Sequence, residues 1–126
     1  MHTVIADPVL NRLNIKITGR IEEAEAHALY LKILEQTKML KPAFDVINDL
    51  RDYALGNPAA SVVLTKSIEF FKSKKIGYVI RVVGGSKAAL IQFAKFTQGA
   101  KEYNVFYVPR MEDVDKKLES LKGQWT

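Results

Sequence analysis

Asp49 and Asp52 flank Arg51 in the stretch "FDVINDLRDY", where an apolar run gives way to a loop. Paired carboxylates do acid–base work when both sit in a cleft with their pKa values pushed apart. Their sequence context favours a plainer arrangement, with Asp49 hydrogen-bonding the loop and Asp52 pairing with Arg51 in solvent. A second candidate is "VVGGSKAAL": Gly84 and Gly85 permit close backbone approach, a helix start offers free N–H groups, and Lys87 adds a positive charge. Together these could hold a phosphate or carboxylate. The simpler account is that Gly84 and Gly85 turn the chain and Ser86 caps the helix. The stretch matches neither GxGxxG nor GxxxxGK[ST], so nothing points to a dinucleotide or P-loop site.

Other chemistries find no assembled residue set in the sequence. His2 and His27 are not spaced for chelation, and a zinc site needs three or four protein ligands. No GxSxG elbow frames a nucleophilic serine. The chain has no cysteine, which removes disulfides, thiolate ligands and a thiol nucleophile and suits a reducing cytoplasm. No metal and no cofactor are therefore expected, and the chain is read as non-enzymatic. Tyr53, Phe70, Phe71, Phe93 and Phe96 supply aromatic bulk; at helical spacing Phe70, Phe71, Phe93 and Phe96 read as core or as a partner-facing patch, and exposed phenylalanines on the second or third helix could support a homodimer.

The net charge is +5 and the pI about 9.4, yet the lysines are spread along the chain. The tightest group, Lys72, Lys74 and Lys75, falls where a helix should end, and cations there complement the helix dipole. Nucleic acid is thus an unfavoured partner. No run reaches the ~18 apolar residues of a membrane span, and the N-terminus lacks signal-peptide character. A cytoplasmic protein is expected.

The elements that must position these residues follow from periodicity. The chain's 126 residues suit one domain, 1–126. Strands are expected at "HTVIADPV" and "RLNIKITGRI", turning at Asn11, then at "AFDVINDL", "YVIRVVGG" and "NVFYVP". Helices are expected at "IEEAEAHALYLKILEQTKML", with an apolar stripe of Ile21, Ala24, Ala28 and Leu31, and at "SVVLTKSIEFFKSKK", with Leu64, Ile68 and Phe71 on one face. Two more are expected at "SKAALIQFAKFTQGAKEY" and at "EDVDKKLESLK", the last placing Val114, Leu118, Leu121 and Trp125 together. Such alternation predicts an α/β fold: one mixed, largely parallel sheet of four to five strands with about four helices. Ligands favour the carboxyl edge of such sheets, where the loops 49–57, 84–87 and 109–111 should meet.

The runs "RLNIKITGRIEEAEAHALYLKILE", "FDVINDLRDY", "IGYVIRVVGG" and "VFYVPRMEDVDKKLESL" resemble the STAS domain family of sulfate-transporter tails and bacterial anti-sigma-factor antagonists. The resemblance spans nearly the whole chain. It rests on the Thr18-Gly19 strand end, the acid-led helix, the Asn48–Leu50 strand end and the closing aromatic strand. It implies a non-enzymatic regulatory module that binds a protein partner through the loop after the Asp49 strand, with Asp49, Arg51, Asp52, Asn57 and Ser61 as contact residues. The family's antagonists carry a phosphorylated serine in an Asp-Ser-Ser-Gly-like motif. Here "RDYALGNPAAS" lacks that motif, and Ser61 is the hydroxyl nearest its place. Similarity of the fold to Sec14-type domains implies an alternative, a lipid or small-molecule carrier with an apolar pocket between helices and sheet.

Overall fold

A computed structural model describes residues 1–54, 58–86 and 104–123. The chain opens with an antiparallel hairpin, β1 (His2–Asp7) and β2 (Arg12–Ile17). The Asp7 carboxylate accepts the N–H groups of Val9 and Leu10, and Asn11 takes a positive φ of 55°. Asn is among the few non-glycine residues that tolerate this conformation, so the expected turn forms. The succeeding elements are α1 (Glu23–Gln36), β3 (Asp45–Asp49), α2 (Pro58–Ser73), β4 (Val79–Val82), β5 (Val105–Val108) and α3 (Glu112–Gly123). A short 3-10 turn, Thr37–Met39, extends α1.

The sheet order is β1-β2-β3-β4-β5, and every pairing from β2 onward is parallel. The mixed, mainly parallel five-stranded sheet expected from the sequence is therefore present. Three α-helices lie among the described residues; the helix expected at 86–103 lies outside them apart from Ser86. Right-handed crossovers that advance in one direction across a sheet put their helices on one face. Accordingly α1 and α2 share a face and a core of Leu13, Ile15, Leu29, Ile33, Val46, Leu64, Ile68, Phe71 and Val79. The opposite face carries α3, whose Val114, Leu118 and Leu121 pack on Ile47, Ile80, Val82 and Val108. The expected faces of α2 and α3 hold in the described residues; Trp125 lies outside them.

The expected stripe of α1 is corrected. Ala24, Ala28 and Leu31 face solvent, Leu31 being 63% exposed, while Ala26, Leu29 and Ile33 are buried. Ile21 is buried, but it precedes the helix. The helix phase is set instead by Ala26, Leu29 and Ile33, whose i, i+3, i+7 spacing also forms one face.

Four buried residues of β3 and β4 depart from an apolar core, Asp45, Asn48, Asp49 and Arg81. Asp45 and Arg81 are each 1% exposed. Asp45 accepts the Tyr78 N–H at 2.9 Å and pairs with the Lys122 ammonium at 2.5 Å. It thereby ties the end of α3 to the amino edge of the sheet.

Candidate functional site

The parallel strands β3, β4 and β5 end at one edge, and the loops that follow them meet there. The Asp49 side chain, at the end of β3, turns back onto its own loop. Arg51 grips it with a fork: Nε–H donates to Oδ1 at 2.9 Å and Nη2–H to Oδ2 at 2.8 Å. The Arg51 backbone N–H also points to Oδ1, at 3.3 Å. Such bidentate, charge-assisted bonding is among the stronger side-chain pairings. The Arg51 hydrogen bonds hold the Asp49 carboxyl below its ordinary range, overcoming the opposing effect of burial. The Asp49 bonds raise the guanidinium reciprocally, with Asp52 and Glu112 contributing charge.

The expected Arg51–Asp52 pair is thus corrected. Two residues along a chain that has just left a strand bring Arg51 back over Asp49, whereas Asp52 is exposed. The Asp52 carbonyl instead accepts the Gly19 N–H at 2.7 Å, and the Ala54 N–H returns to the Gly19 carbonyl at 3.1 Å. These bonds extend the β2 edge by a bridge between Gly19 and Tyr53. Gly19 meets the bridge with φ 72°, a conformation that favours glycine. Tyr53 is buried in the core. An ionised Asp49 held in a fork, beside a solvent-facing Asp52, is poorly suited to paired acid–base chemistry.

The second loop closes on the first. Gly84 has φ 55°, and a Cβ there would lie 3.3 Å from Arg51 Cγ, so the arginine stem lies across the glycine. The Ser86 N–H donates to the Val83 carbonyl at 2.9 Å, closing a tight turn through Gly84 and Gly85. Lys87 lies outside the described residues, as does Asn57. The third loop adds Met111, which with Asp49, Lys16, Asn14 and Ile5 lines a shallow surface hollow of about 200 Å³. Arg110 forks onto Asp113 at 3.2 and 3.0 Å, and these bonds lower the Asp113 carboxyl and raise the guanidinium. Ser61 lies in the first turn of α2, where its carbonyl accepts the Thr65 hydroxyl at 3.0 Å.

The sequence did not single out a polar group under α2. Asn48, Ser67 and Arg81, all more than nine-tenths buried, border a cavity of about 30 Å³ with Ile15, Leu29, Ile33 and Phe71. Asn48 Oδ1 and Ser67 Oγ make no hydrogen bond among the described residues. That volume admits one or two waters and is far short of an acyl chain. A polar residue alternating into an apolar strand, as Asn48 and Arg81 do, is the sequence signal that could have marked it.

Among the described residues, no three His, Asp or Glu side chains gather as a metal site, and no helix is long and apolar enough to cross a membrane. No family model matches the chain, and no curated protein matches it. Solved structures do. An uncharacterised protein of the DUF3478 family with a SpoIIAA-like fold, from Shewanella loihica PV-4, superposes with a TM-score of 0.71 at 12% identity, over 93% of each chain. The anti-sigma factor antagonist SpoIIAA in its unphosphorylated form gives 0.64 at 8% identity, covering 98% of this chain and 99% of that one. An anti-sigma factor antagonist from Mycobacterium paratuberculosis gives 0.58 at 14% identity, over 93% of each. The strand order, the hairpin start and these superpositions together show that the chain has a divergent STAS-like fold.

Proposed function

We propose that the protein is a non-enzymatic regulatory module that binds a protein partner through the carboxyl-edge loops. The observation that carries this reading is the Asp49–Arg51 fork lying over Gly84. It uses the buried Asp49 carboxylate to fix loop shape and leaves Asp52, Gly84 and Gly85 presented to solvent. A pre-shaped, exposed loop edge suits recognition, because little ordering entropy remains to be lost on binding. Two solved structures of the same fold are described as anti-sigma factor antagonists, which supports the same class of role. Asn57, Ser61, Ser86 and Lys87 complete the proposed contact surface.

The test is site-specific photo-cross-linking in the protein's own cells, with the cross-linking residue at position 52 and, as control, at Lys32 on the exposed side of α1. A discrete protein adduct at position 52, absent at 32 and competed by unlabelled wild-type chain, is expected. Adducts at 32 but not at 52, or no adduct at either, would overturn the reading. An Arg51→Ala chain that stays folded should lose the adduct.

A further inference from the structure

A second surface lies at the opposite edge of the sheet, where β3 begins. There the end of α1, the connection to β3 and the end of α2 enclose an open groove of about 490 Å³. Its floor is Leu34, Leu40, Phe44 and Phe70, and its rim carries Lys38, Lys41 and Lys74. The Lys74 ammonium stands 5.6 Å from the Phe70 ring centroid.

Helix-dipole complementation does not exhaust what these lysines do. The carbonyls at the end of α1 are served by the Thr37 hydroxyl, which donates to Ile33 at 2.8 Å and Leu34 at 3.2 Å. At the end of α2 the Ser73 hydroxyl donates to Phe70 at 2.6 Å, and the Lys74 N–H reaches Phe70 and Phe71. None of the three ammonium groups pairs with a carboxylate among the described residues, and no carboxylate is among the described residues that line the groove. Three unneutralised cations around an apolar floor call for an occupant that brings both anionic charge and apolar side chains.

We propose that this groove docks an acidic peptide segment of a protein partner, one in which carboxylates alternate with branched or aromatic apolar residues. The apolar side chains would cover Leu34, Leu40 and the part of Phe70 that Lys74 leaves uncovered, and the carboxylates would meet Lys38, Lys41 and Lys74. Charge complementarity selects the acidic segment. The aromatic floor argues against a nucleic acid: Phe44 is 4% exposed and Phe70 already lies under Lys74, so neither offers the open ring face on which bases stack. The surface stands at the other pole from the Asp49 loop, so both could be occupied together.

The test uses the full chain and a short fluorescein-labelled peptide alternating Glu with Leu and Phe, read by fluorescence anisotropy. A control peptide carries Lys in place of Glu. The acidic peptide should bind and the basic one should not, with affinity falling as salt rises. Lys38→Glu, Lys41→Glu and Lys74→Glu should each weaken binding about threefold to fivefold, in keeping with exposed ion pairs. The three Lys→Gln changes together provide a neutral variant whose fold is checked by circular dichroism, and it should bind about tenfold or more weakly. Arg51→Ala should leave this binding unchanged. No binding by the wild type, or equal binding by the Lys→Gln variant, would overturn the proposal. Lysine-dependent binding to acidic vesicles or to oligo(dT), with none to the peptide, would overturn it too.

Discussion

Gly77 offers the sharpest check on how the amino edge is held together. Its N–H donates to the Phe44 carbonyl at 2.8 Å, which pins it against the turn before β3. A Cβ there would overlap the Asp45 carboxylate and come within 2.8 Å of the Ala43 carbonyl. Asp45 cannot yield cheaply, since it is 1% exposed, accepts the Tyr78 N–H and pairs with Lys122. In Gly77→Ala the displaced carboxylate loses a charge-assisted hydrogen bond, worth about 1.5–3 kcal/mol. Shifting a packed backbone adds about 1–3 kcal/mol. The lower entropy of the unfolded alanine chain returns about 0.4–1 kcal/mol. The net expectation is a loss of about 3 kcal/mol, equivalent to a fall in Tm of roughly 10 °C for a domain of this size. Urea denaturation followed by circular dichroism measures it, and repeating Gly77→Ala in an Asp45→Ala background isolates the overlap. The cost should drop by at least about 1 kcal/mol there, because neighbouring changes are not additive. A loss below about 1 kcal/mol in the wild-type background, or the same loss in both, would refute the reasoning.

Three further outcomes follow from the site and its surroundings. Gly84→Ala should cost about 1–2 kcal/mol, since its φ of 55° disfavours a side chain and the Arg51 stem lies close, whereas Gly85→Ala, whose added Cβ would have no atom of the described residues within 4 Å, should stay within about 0.5 kcal/mol; paired urea titrations compare them. Ser67→Ala should be neutral or stabilising by up to about 1 kcal/mol, because its buried hydroxyl makes no hydrogen bond among the described residues, and a clear loss of Tm would contradict that. The Asp49 carboxyl is held low by Arg51, so its contribution to stability is present above the ordinary carboxylate range of about pH 4 and fades as acid protonates the folded form. For a pair with an exposed arginine this amounts to no more than about 1 kcal/mol. Acid titration of Arg51→Ala against wild type should show a difference at neutral pH that narrows below about pH 4, and a constant gap would tell against the fork.

What was legible in the sequence was local. Strand period 2 in Leu13, Ile15 and Ile17 and the β-branched run at β4 fixed those elements, because side-chain alternation is a property of the extended chain itself. The turn at Asn11 and the break at Gly19 were legible for the same reason, their φ values being 55° and 72°. In α1, a stripe of Ile21, Ala24, Ala28 and Leu31 was as regular as the true one. A helix with small and apolar residues on two faces cannot name its buried face until a sheet is placed beside it.

The carboxyl edge was foreseeable from topology, since parallel strands joined by crossovers deliver their loops to one side. Which charge pairs with which was not. Arg51 could reach either aspartate, and the direction in which the chain leaves β3 gave it Asp49. Alternation also marked Asp45 only as a strand residue; its tie to Tyr78 exists only when β4 pairs with β3, and its tie to Lys122 only when α3 folds back across the sheet. Lys38, Lys41 and Lys74 belong to two separate connections. Sequence determined their charge and their helix-end positions. Tertiary structure alone brought them round one apolar floor, because packing α1 beside α2 over a parallel sheet sets their ends at the same edge.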